Sequence, residues 1–146
     1  ALRIALFNEN LEMAKLFIEN GADIEEKDKE GETALMAVAR NGNLEVVTLL
    51  IENGADIGAK NKEGETALMA AASNGNLEVA ALLIENGADI NAKGADERTG
   101  LMYATANGDL EVATLLIENG ADINAKDTDG RTALMTAAEN NKLDDD

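Results

Sequence analysis

The chain has 146 residues, enough for one domain; 45% are hydrophobic and only 2% aromatic, so a core must come from Leu, Ile, Val, Ala and Met. With 12 basic against 29 acidic residues the formal net charge is −17, which argues against nucleic acid and anionic membrane surfaces and favours a neutral or basic protein partner. Cys, His, Trp and Pro are absent, which removes disulfides, thiolate and imidazole metal ligands, and the usual general bases.

No apolar run approaches the roughly 18 residues of a membrane span. No basic segment followed by an apolar one opens the chain. A soluble, cytoplasmic chain is the default expectation. The hexapeptide Glu-Asn-Gly-Ala-Asp-Ile begins at Glu19, Glu52, Glu85 and Glu118, a constant period of 33. Such a period marks stacked repeats that share a continuous core.

The chain divides into five units within a single domain, 1–146. The first, Ala1–Lys27, is partial and lacks its turn. Its opening Ala1-Leu-x-Ile4-Ala-Leu6-Phe7 has little polar relief for an outermost helix. That pattern leads to two expectations: further repeats before Ala1, or end-to-end self-association through the N-terminal helix face.

The second unit, Asp28–Lys60, is the clearest. Thr33 is placed to cap a helix over Ala34–Asn41, because its hydroxyl accepts an orphan backbone N–H. Gly42 stops that helix in the left-handed conformation. Asn43 caps a second helix, with Glu45 in its first turn, and Asn53-Gly54 ends it. The third and fourth units, Asn61–Lys93 and Gly94–Lys126, follow the same plan. The last, Asp127–Asp146, stops where its second helix should begin. Helices of about nine residues span only ~13 Å and are marginal alone, so stacking must hold them.

The 33-residue period, the Gly-x-Thr-x-Leu start of the first helix and the Asn-Gly-Ala-Asp-Ile-Asn-Ala-Lys loop (Asn86–Lys93, Asn119–Lys126) together resemble the ankyrin repeat family. The resemblance implies an all-α ankyrin-repeat solenoid of stacked helix-turn-helix units with projecting β-hairpin-like loops. The family's Thr-Pro-Leu-His is replaced by Thr-Ala-Leu-Met at Thr33, Thr66 and Thr132, and by Thr-Gly-Leu-Met at Thr99. Met36, Met69, Met102 and Met135 are expected to fill the vacated space as core, in preference to a soft-metal site.

No acid/base pair stands beside a nucleophile, and no catalytic residue is assigned. The Asp28 and Asp127 loops lack the spacing of a calcium loop and read as solvated turns; no metal site or cofactor is expected. The resemblance points instead to a non-catalytic protein-protein interaction module that binds through its concave face and loop tips. By position, the contacts would come from Glu30, Glu32, Glu63, Glu65, Asp96, Arg98, Asp129 and Arg131 at the tips. Arg40, Asn41, Ser73, Asn74, Tyr103 and Asn107 would contribute from the first helices. The fourth unit is the irregular one, with Gly94 for an acidic or amide residue, Glu97 for the turn Gly and the chain's one Tyr. Tyr103 with Arg98 is therefore the expected centre of an interface. The alternative is an engineered or consensus-like ankyrin scaffold with no natural partner, which the near-identical repeats favour.

Overall fold

The computed structural model describes the backbone of residues 11–144 and the side chains of residues 11–140. Ile4, Phe7 and the N-terminal helix face lie outside the described residues. Among the described residues eight α-helices follow in order: α1 (Leu11–Glu19), α2 (Ala34–Asn41), α3 (Leu44–Glu52), α4 (Ala67–Ser73), α5 (Leu77–Glu85), α6 (Gly100–Ala106), α7 (Leu110–Glu118) and α8 (Ala133–Asp144). A 3-10 turn, Ala95–Glu97, precedes α6. No strand occurs among the described residues, and no helix is long and apolar enough to cross a membrane.

The caps sit where the side-chain chemistry puts them. Thr33, Thr66, Thr99 and Thr132 accept the backbone N–H three residues on, at 3.3–3.4 Å. Gly42 closes α2 with φ 80°, its N–H donating to the Val38 carbonyl. Asn43 and Asp109 cap α3 and α7 through Val46 N and Val112 N. Asn76, the equivalent residue before α5, makes no such cap. Its amide instead reaches back one unit to the carbonyls of Ala39 (2.8 Å) and Arg40 (3.0 Å).

The helices form two layers. First helices stack as α2–α4–α6–α8, and second helices as α1–α3–α5–α7. Between the layers runs a continuous core with the same residue positions in the second, third and fourth units: Leu35, Leu68 and Leu101; Val46, Val79 and Val112; Leu50, Leu83 and Leu116. All are at most 3% exposed, and each buried Leu or Val contributes about 1.5–3 kcal/mol. Each unit is thus completed by its neighbours.

One expectation needs correction at the C-terminal end, and one element there differs from its counterparts. Met36, Met69 and Met102 are buried as predicted, but Met135, on the last described helix, is 48% exposed. The first helix of the last unit is also longer than its counterparts. The helix runs unbroken to Asp144, because Asn141 stands where the earlier units have the helix-stopping Gly.

Candidate functional site

The loop tips are built by one device. The Asp28 carboxylate accepts the N–H groups of Glu30 and Glu32, both at 2.9 Å, and its own N–H donates to the Glu32 carbonyl. Asn61 and Asp127 do the same in their units. The Asp28 and Asp127 side chains therefore organise turns from within. Gly31, Gly64 and Gly130 complete these turns at φ 76–81°. Neighbouring tips are joined where the Lys62 N–H donates to the Glu30 carbonyl at 3.0 Å.

This register brings Glu30, Glu32, Glu63 and Glu65 to one edge. With Arg40 and Asn61 they line an open depression of about 180 Å3. Four carboxylates face one guanidinium there. Arg40 is committed to Glu32, with a hydrogen bond of 3.1 Å. Glu65 takes the Asn61 amide at 3.2 Å and the Tyr103 hydroxyl at 3.1 Å. Glu30 and Glu63 are exposed. Asn61 is a site residue the sequence reading missed; its amide, standing where Asp28 and Asp127 have carboxylates, was the signal.

The fourth unit departs from the pattern as expected, and the structure supplies the reason. Gly94 has no side chain to organise the turn, and a Cβ there would come within 2.8 Å of the Met69 sulfur. The turn tightens into the 3-10 form, with Asp96 at φ 56° and Glu97 at φ 59°. Two consecutive non-glycine residues in the left-handed region carry strain. The tip then hands its link onward, the Asp96 carbonyl accepting the Thr128 N–H at 2.9 Å.

Tyr103 is partly buried on α6, and its hydroxyl crosses to the preceding unit. Burial first, and then the Glu65 carboxylate, push that hydroxyl up to about 12; Arg98 opposes the shift. Arg98 itself is exposed and, among the described residues, forms no ion pair. Arg131, by contrast, is engaged with Glu139 at 2.7 Å. The N–H of Arg131, ahead of that of Asp129, holds the Asp127 carboxyl below the usual carboxylate range, with Arg98 and Arg131 adding to the effect.

The remaining predicted residues are not part of the depression. Asp96 and Asp129 are exposed on tips of the fourth and fifth units. Asn41, Ser73, Asn74 and Asn107 are exposed at the C-terminal ends of first helices, and the Asn74 amide folds back onto the Ala70 carbonyl at 3.0 Å.

The family model described as ankyrin repeats (3 copies) matches residues 2–94 and again residues 92–145. A search of curated proteins gave no match. Ankyrin repeats are in general protein-protein interaction modules and typically non-enzymatic. The two matches run through nearly the whole sequence and through every stacked unit described above, and the chain belongs to the ankyrin repeat family.

Proposed function

We propose that this chain binds a basic segment of a protein partner along the concave face formed by its loop tips and first helices. The depression between the second and third units carries the proposal. Glu30 and Glu63 stand exposed on adjoining tips, while Arg40 is already paired and offers a partner little positive charge. A Lys or Arg side chain entering here meets excess carboxylate. Tyr103 and unpaired Arg98 flank this ground on the fourth unit and add an aromatic surface and a site for one acidic group. Charge of this kind chiefly raises the association rate and sets partner choice.

An array of immobilised peptides of graded net charge tests this reading. Basic peptides should be retained, retention should fall with added salt, and Glu30→Gln/Glu63→Gln should weaken it. Retention that ignores peptide charge, or is untouched by the double substitution, would overturn it.

A further inference from the structure

Asn-Gly occurs seven times in this chain, always at a helix end. The dipeptide is chemically labile, because a Gly nitrogen meets little steric hindrance in attacking the preceding side-chain amide. The copies differ in what holds the Asn amide. The amides of Asn20, Asn53, Asn86 and Asn119 donate to the carbonyl four residues back at 2.8 Å, and that of Asn74 does so at 3.0 Å. Those of Asn41 and Asn107, both exposed, donate to nothing among the described residues. The following Gly N–H is hydrogen-bonded in all seven, so it does not separate them.

The neighbouring unit accounts for the difference. Asn76 holds the last carbonyls of α2, and Asn140 holds those of α6, at Thr105 (2.9 Å) and Ala106 (3.4 Å). Opposite α4 the position of Asn76 is taken by Asp109, which has no amide to give, and there Asn74 caps its own helix. A helix end capped from the next unit leaves its own Asn side chain unheld.

We propose that Asn41 and Asn107 are deamidation sites. The Gly42 or Gly108 nitrogen bonds to the Asn side-chain carbonyl carbon and gives up its proton. The bond to the amide nitrogen breaks and ammonia leaves, forming a succinimide. Water then opens the ring at either carbonyl, giving aspartate or isoaspartate. Each event adds one negative charge at the C-terminal end of a first helix, where the helix dipole disfavours it.

The test incubates the folded chain at mildly alkaline pH and maps conversion by peptide mass spectrometry, with a parallel sample unfolded in urea. In the folded sample Asn41 and Asn107 should convert about fivefold faster than the five tied residues, the factor one net hydrogen bond supplies. In urea the seven should converge. Even conversion across the folded chain, or a tied residue leading, would overturn the proposal. So would the same ranking in urea, which would trace the preference to sequence and not to these contacts.

Discussion

At the scale of the residue, Tyr103 ties two units together through one hydroxyl. It lies 38 residues beyond Glu65, one repeat plus five, so the 33-residue period does not predict the pair. Because its pKa is raised in the fold, the associated stability is complete below the ordinary tyrosine value of about 10 and is lost as pH rises toward 12. With one Tyr and no Trp in the chain, phenolate absorbance reports this group alone. Alkaline titration should give a midpoint near 12, and Glu65→Gln should lower it without restoring the ordinary value, since burial remains. Glu97 supplies a second case. Its φ of 59° belongs to glycine, the residue at the same place in the second, third and fifth units. Glu97→Gly should therefore stabilise the chain by about 1 kcal/mol in urea unfolding, the left-handed penalty exceeding the entropy glycine adds to the unfolded chain. The sequence shows the anomaly at Glu97, but not that Asp96 joins it in the left-handed region.

At the scale of the element, the junctions between units are not equivalent. On the side of the outgoing loops, Glu25 accepts the Asp56 N–H at 2.9 Å and Asn91 accepts the Asp122 N–H at 2.7 Å. Lys27 and Lys93 reach the carbonyls of Lys60 and Lys126. Between the second and third units this ladder is broken, because Gly58 stands where Glu25 and Asn91 stand. That junction is held instead at the tips, by Lys62, and at the helix ends, by Asn76. A Cβ at Gly58 would meet only the Asp56 carboxylate, at 3.7 Å, so the site has room. Gly58→Asn should complete the ladder through the Asp89 N–H. A gain of about 1–2 kcal/mol in urea unfolding is expected, from the new hydrogen bonds and the loss of glycine freedom. An unchanged or lowered midpoint would show that the gap matters little. Helix limits and caps were legible in Thr33, Asn43 and the Asn-Gly stops because they are local chemistry. The choice of Asn76 to cap its neighbour and not its own helix depends on distances between units, which no local pattern contains.

At the scale of the whole molecule, two layers of short helices place every loop tip along one edge. Stability is spread over nearest-neighbour contacts, and substitutions on the exposed edge leave the core untouched. The fold was legible almost entirely, because the units repeat one punctuation every 33 residues. The candidate edge is a set of positions in the sequence, and the structure sorts them. Glu30, Glu32, Arg40, Glu63 and Glu65 converge, and Asn41, Ser73, Asn74 and Asn107 stand apart. The most direct test of the edge as the recognition surface is retention of lysate proteins by three immobilised forms matched for helix content by circular dichroism. These are the unaltered chain, Glu30→Gln/Glu63→Gln on the edge, and Glu78→Gln/Glu111→Gln on the exposed second helices. Proteins held by the unaltered and second-helix forms and released by the edge form are the predicted result. Proteins held equally by the edge form, or released by the second-helix form, would contradict it.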